Sequence, residues 1–229
     1  LALRVCDAAR GAGAVLLAAG DVLAERRVEV GAEPAAALRA VAGACLFGVD
    51  KDPVAVTLAR LALWIATASD EDPRAFLRDA LRAGDALVGP PGAEAPWPRG
   101  IEPFDWGAAF PHVLGAQGGF DAVVGNPPWI SYAGRAAQPL DDALFDFYRR
   151  TSPAFFGFRN LQGLFVFRAA TLLRPGGRLG LVVPTSMSDL AGYEPSRRAH
   201  DALCEADPEL PDFGDRFADV FQPCMGLLS

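Results

Sequence analysis

Short apolar runs alternate along the chain with stretches whose apolar residues recur every three or four positions, and Gly, Pro or Asp marks the junctions. Strand-like segments alternating with helix-like ones predict an α/β fold, doubly wound around a mostly parallel, Rossmann-like sheet. Residues 3–6 read as a first strand, followed by a Gly-rich turn and a helix from about 14 to 27. Residues 34–43 read as a second short helix and 45–50 as the next strand. Over 53–68, Val54, Leu58, Leu61 and Ile65 recur at helical spacing, with Pro53 suited to a first turn. Trp64 on that helix reads as core. Residues 120–125 have the apolar character of a buried parallel strand. Residues 161–173 read as a helix, 174–177 (Arg-Pro-Gly-Gly) as a turn, and 178–183 as another buried strand ending at Pro184. Residues 89–118, rich in Pro and Gly and holding Trp97 and Trp106, read as an insertion or long surface loop. Beyond Asp189 the chain is mixed and acidic, and its pattern assigns no element.

At 229 residues there is enough chain for one α/β core with room for an insertion. No apolar run is long enough to span a bilayer. The opening stretch, LALRVCDAARGAGAVLLAAG, contains Asp7 and a Gly-Ala-Gly, which argues against a signal peptide. Because it starts abruptly at what reads as a core strand, the segment is expected to be excised from a longer protein. Cys6, Cys45, Cys204 and Cys224 form no CxxC pair, so reduced thiols in a cytoplasmic protein are expected. His112 and His200 lack metal-ligand company, and no metal site is expected. A Gly-x-Ser-x-Gly elbow and a P-loop are both absent. The net charge of −7 is uneven: residues 131–178 carry seven Arg and three Asp, a net +4 in an otherwise acidic chain. That segment is either a solvated arginine surface or a patch facing a polyanion.

Ligands of open α/β sheets bind at the carboxyl ends of the strands. Three strand ends stand out. In Asp7-Ala8-Ala9-Arg10-Gly11-Ala12-Gly13, the glycines permit close backbone approach or merely a tight turn, and Asp7 can hold a cationic amino group. In Val49-Asp50-Lys51-Asp52-Pro53, Asp50 is placed to accept the hydroxyls of a ribose, whereas Asp52 before Pro53 reads as a helix N-cap. In Gly84-Asp85-Ala86, Asp85 can accept from an exocyclic amino group such as that of adenine. Together they describe a nucleoside carrying an amino acid, as S-adenosylmethionine does.

The next strand runs into Asn126-Pro127-Pro128-Trp129. An amine conjugated to a ring or carbonyl is a poor nucleophile because its lone pair is delocalised. Two acceptors placed at its two N–H bonds help it pyramidalise. The Asn126 side-chain oxygen and the Pro127 carbonyl suit that task, with the proline pair, Pro127 and Pro128, stiffening the step and removing competing donors. Trp129 offers a face for stacking a planar group. Such a site works by preorganised acceptors rather than by a general base. The plain alternative is a Pro-Pro step that simply ends a strand.

The series DAARGAGAVL, FGVDKDP, AGDAL, FDAVVGNPPW and LLRPGGRLGLVVPTS resembles the gamma-class adenine-N6 DNA methyltransferases of bacterial restriction–modification systems. The resemblance runs in order over nearly the whole chain. It implies Asp7, Gly11 and Gly13 at the methionine end of S-adenosylmethionine, Asp50 on the ribose and Asp85 on the adenine. It implies that Asn126, Pro127 and Trp129 hold an adenine flipped out of double-stranded DNA. It also implies a second aromatic, Phe221, against the flipped base, with recognition or nuclease domains elsewhere in the full-length protein. The first loop departs from the family's usual Asp-Pro-Ala-Cys-Gly-Ser-Gly, with Ala8, Arg10 and Ala12 in place of proline, cysteine and serine. Two other readings share part of this pattern. Release-factor-type glutamine methyltransferases also use an Asn-Pro-Pro-aromatic element, and the altered first loop suits a non-catalytic cofactor-binding scaffold.

Overall fold

The fold is that of a computed structural model, in which the described residues are 3–9, 11–72, 75–89, 97–134, 137–208, 210–214 and 223–229. Strand β1 (Val5–Asp7) leads through a turn into α1 (Ala14–Val28) and α2 (Pro34–Cys45). Then come β2 (Leu46–Asp50), α3 (Pro53–Ala66) and β3 (Leu81–Ala83). Two short helices, α4 (Trp106–Ala109) and α5 (Pro111–Leu114), precede β4 (Phe120–Gly125). The chain continues through α6 (Asp142–Thr151), α7 (Leu161–Leu172) and β5 (Leu173–Pro184). It finishes with α8 (Ser186–Asp189), α9 (Glu194–Asp201), β6 (Asp212–Gly214) and β7 (Cys224–Leu228).

Among the described residues these strands form one sheet in the order β3-β2-β1-β4-β5-β7-β6. Strands β1 to β5 pair in parallel, and β7 runs antiparallel to both β5 and β6. The short apolar run Cys-Met-Gly-Leu-Leu of β7 is mostly buried, so the acidic tail contains a sheet strand that its overall polarity conceals. The side chains alternate between two cores, as the pleat requires. Cys6, Phe47 and Val49 pack with α4, α5 and α7 on one face, while Val5 and Leu46 pack with α1, α2 and α3 on the other. This is the doubly wound, Rossmann-like arrangement expected. Because β2 and β4 leave β1 on opposite sides, the chain diverges at the carboxyl ends of β1 and β4, where such folds open a crevice.

Four expectations need correction. Helix α3 forms, capped by Asp52, whose Oδ1 accepts from Val54 N at 2.8 Å. Its core face, however, is Val56, Ala59 and Leu63, whereas Val54, Leu58, Leu61 and Ile65 are exposed. Trp64 is only half-buried, with its indole N–H donating to the Glu71 carbonyl. Residues 97–118 are not a surface loop: Phe104, Trp106, Phe110 and Val113 belong to the larger core cluster. Phe110 meets Phe47 and Phe120 edge-on, at centroid distances of 5.6 and 5.9 Å. The Arg-Pro-Gly-Gly turn is absorbed into β5 as an irregularity, since pairing jumps from Phe120–Leu173 to Ala122–Arg178.

Candidate functional site

Beyond the ends of β1, β2, β3 and β4 lies a cleft of about 400 Å³. Ala8, Ala9, Gly11, Asp50, Lys51, Asp85 and Leu87 line one side, and Asn126, Pro128, Tyr132, Leu144, Tyr148 and Phe165 line the other. Loops far apart in sequence meet there because parallel strands with helical crossovers point all their carboxyl ends the same way.

The first two loops are tied together. Asp50 Oδ2 accepts from Gly11 N at 2.8 Å, and its Oδ1 accepts from Asp52 N at 2.9 Å. Asp50 thus links the turn after β1 to the start of α3 and still faces the cleft. Asp7 and Gly13 lie behind this surface. Asp7 is 1% exposed, and its Oδ1 accepts from Ala9 N at 3.0 Å, shaping the loop from beneath. A Cβ at Gly125 would stand 2.9 Å from that oxygen, so β4 must be glycine there. Gly13 caps α1 at φ +88°, and a Cβ on it would stand 2.8 Å from Ala59 Cβ of α3. Its lack of a side chain therefore serves helix packing more directly than ligand approach.

Asp85 is buried, with Oδ1 accepting from Leu87 N at 3.0 Å. Burial pushes its carboxyl above the usual range, opposed by the Leu87 N–H and by the positive charges of Lys51 and Arg168. Arg168 of α7 reaches the same loop, its Nη2 donating to the Leu87 carbonyl at 3.4 Å. Tyr132 and Tyr148 have phenols raised by burial and by the charge of Asp85. They stand as neutral hydroxyls at the aromatic end of the cleft, braced by Phe155 at centroid distances of 6.4 and 5.3 Å.

After β4, Asn126 is exposed and Pro127 is buried. Among the described residues no hydrogen bond occupies the Asn126 amide or the Pro127 carbonyl. Trp129 is half-buried and does not line the cleft. The chain past it is pinned to the start of α7 by Leu161 N donating to Ile130 O and Tyr132 N donating to Arg159 O, at 2.9 and 2.8 Å. Phe221 and Arg10 lie outside the described residues.

Of the sequence-derived candidates, the structure brings Gly11, Asp50, Asp85, Asn126 and Pro128 to one cleft, with Asp7, Gly13 and Pro127 supporting its walls. Tyr132 and Tyr148 were missed. Tyr132 follows Trp129 by three residues, and tyrosine occurs only three times in the chain, which was the available signal. Among the described residues no cluster of three His, Cys, Asp or Glu is arranged around a common point for a metal, and no helix is long and apolar enough to cross a membrane.

Known proteins give this geometry a context. Over 98 residues the chain is 29% identical to a protein of Methanocaldococcus jannaschii described as a type II restriction enzyme and methyltransferase, covering 43% of this chain and 7% of that protein. A class I S-adenosylmethionine-dependent methyltransferase from Listeria monocytogenes superposes with a TM-score of 0.59 at 15% identity, over 99% of this chain and 52% of that one. The DrdV–DNA complex superposes with a TM-score of 0.65 at 13% identity, over 99% of this chain and 23% of that one. The chain thus spans only a part of each of these longer proteins. At such identities the superpositions establish the class I methyltransferase fold. Residues 44–208, running from the end of α2 past the Asn-Pro-Pro-Trp element to beyond α9, match the Eco57I restriction-modification methylase family, and the chain belongs to that family.

Proposed function

We propose that the chain is the catalytic core of an S-adenosylmethionine-dependent methyltransferase that modifies the N6 amine of a flipped-out adenine in DNA, within a restriction–modification system. The observation that carries this reading is the convergence of Asp50, Asp85 and Asn126 on one cleft. Membership of a restriction-modification methylase family supports DNA as the partner, as does the fold shared with the DrdV–DNA complex.

The residues suit S-adenosylmethionine. An acidic acceptor stands at the tip of β2 for a ribose, and a second buried acceptor after β3 suits an exocyclic amine. Gly11 offers an open backbone surface, with nothing within 4 Å of where a side chain would begin. When bound, the cofactor supplies an electrophilic methyl group. The chain's own contribution is orientation. The Asn126 side-chain oxygen and the Pro127 carbonyl accept the two N–H bonds of the target amine and favour its pyramidal, nucleophilic form. Tyr148 and Tyr132 exclude water without introducing charge, and Trp129 provides the stacking face beside the cleft. No strong base is needed, because the proton leaves after the methyl has arrived.

The test uses the full-length protein, radiolabelled S-adenosylmethionine and duplex DNA. Label should appear on adenine N6. Asn126→Ala should lower kcat by roughly 10²–10³-fold, the usual loss for one preorganised polar contact, with cofactor affinity almost unchanged. Label in protein rather than DNA would favour the amide-methylating reading and overturn the adenine assignment.

A further inference from the structure

The segment after β4 carries the chain's one concentration of positive charge, and two of its arginines are placed in an unusual way. Arg149, in the last turn of α6, lies with Cζ 6.0 Å from the Phe145 ring centroid and 5.8 Å from that of Phe156. Arg159 lies 5.2 Å from the Phe145 centroid. Both arginines are exposed, and Phe156 is itself 46% exposed. Among the described residues neither guanidinium has a carboxylate partner, although the chain as a whole has seven more acids than bases. A last-turn cation complements the helix dipole, which accounts for the position of Arg149. It does not account for two guanidiniums converging on the same aromatic ring with no acid between them.

The position of the pair relative to the cleft gives it a role. Helix α6, which bears Arg149, also bears the cleft residues Leu144 and Tyr148. The Arg159 carbonyl accepts the N–H of Tyr132, another cleft residue. Both arginines therefore ride on the elements that wall the aromatic side of the cleft. A guanidinium resting on a ring is planar, weakly hydrated and restricted in its rotamers, so it loses little freedom on gripping a phosphate. A neutral partner would gain nothing from such an arrangement, whereas a polyanion would.

We propose that Arg149 and Arg159, stacked in advance on Phe145 and Phe156, form a phosphate-seating pair that holds the DNA backbone beside the cleft. This rests on the reading of the chain as a DNA methyltransferase. The pair contacts phosphates and positions the strand; it takes no part in the chemistry.

The experiment measures binding of a labelled duplex to the full-length protein by fluorescence anisotropy from about 50 to 200 mM salt, the range over which phosphate contacts are read. Each lost phosphate contact lowers the log–log salt slope by about 0.9, so Arg149→Gln with Arg159→Gln should lower it by about 1.8. The gap between wild type and double variant then narrows roughly 12-fold across that fourfold range. Cofactor affinity and the melting temperature should be retained, which excludes misfolding. The double lysine variant, Arg149→Lys with Arg159→Lys, keeps the charge and should keep the slope. An unchanged slope in the glutamine variant, with wild type binding and methylating DNA, overturns the pair alone. A wild-type protein that methylates protein and shows no salt-dependent DNA binding overturns the enzymatic reading, and the pair with it.

Discussion

Replacing Asp85 with asparagine separates what this residue does for the ligand from what it costs the fold. Asp85 is 8% exposed, and its Oδ1 already holds the Leu87 N–H at 3.0 Å. The asparagine oxygen can keep that bond, so the –NH₂ takes the other oxygen's place, a donor facing an amino donor. A hydrogen bond to a charged group contributes about 1.5–3 kcal/mol, so loss of this one corresponds to roughly a 10- to 150-fold fall in cofactor affinity. Stability without ligand should move little or rise, because burial penalises the ionised carboxylate. The sign follows from the raised pKa. Between the ordinary value of 3.8 and the raised folded value, the native state keeps a proton that the unfolded chain has released. Stability therefore falls as pH rises through that window, and the variant should lose that slope. Lys51 and Arg168 act against the shift, while Tyr132 and Tyr148 stay neutral throughout the window. Cofactor binding to the wild type runs the other way and strengthens as Asp85 ionises. Calorimetry with S-adenosylmethionine and ligand-free thermal melts, both across pH, measure the two effects separately. Unchanged affinity in Asp85→Asn would refute the assignment to the adenine amine. A large loss of ligand-free stability would refute the burial argument.

Asp50→Ala should weaken cofactor binding by roughly tenfold, and it should lower the ligand-free melting temperature slightly because it also releases the Gly11 and Asp52 N–H groups. Unchanged affinity in calorimetry would show the ribose assignment wrong. Gly13→Ala combines φ +88° with a 2.8 Å approach to Ala59 and should cost about 2 kcal/mol or more of stability. Gly11→Ala, at φ +52° in open space, should cost about 1 kcal/mol but reduce cofactor binding. Denaturant titration of both variants checks the order, and equal losses would contradict the packing role given to Gly13.

How much of this was legible in the sequence depends on whether a feature is local or cooperative. Strand ends and the residues following them are local: an apolar run stops and Asp50, Asp85 or Asn126 follows, so both element and site residue could be read directly. The α3 face was not legible, because in an alanine-rich helix periodicity marks large side chains and not the side that packs. Ala59 is buried because Gly13 lets α3 approach closely, and Val54, Leu58, Leu61 and Ile65 are left outside as a consequence. The same reasoning explains the stretch from 97 to 118. Proline and glycine rightly denied it long elements, but Phe104, Trp106 and Phe110 fill the space beside Phe47 and Phe120 that a longer crossover helix would otherwise cover. The aromatic end of the cleft shows the limit most plainly. Trp129 stood out because it touches the prolines in sequence, yet alongside Phe165 of α7 the rings that line the cleft are Tyr132 and Tyr148. They arrive there only because residues 130–132 pair with the chain entering α7 and because α6 packs across it. A motif read in one dimension names the residues at the end of a strand, since the strand and the proline pair that follows it fix their place locally. The facing walls of the cleft are assembled from distant segments, and they become visible only when the sheet brings those segments together.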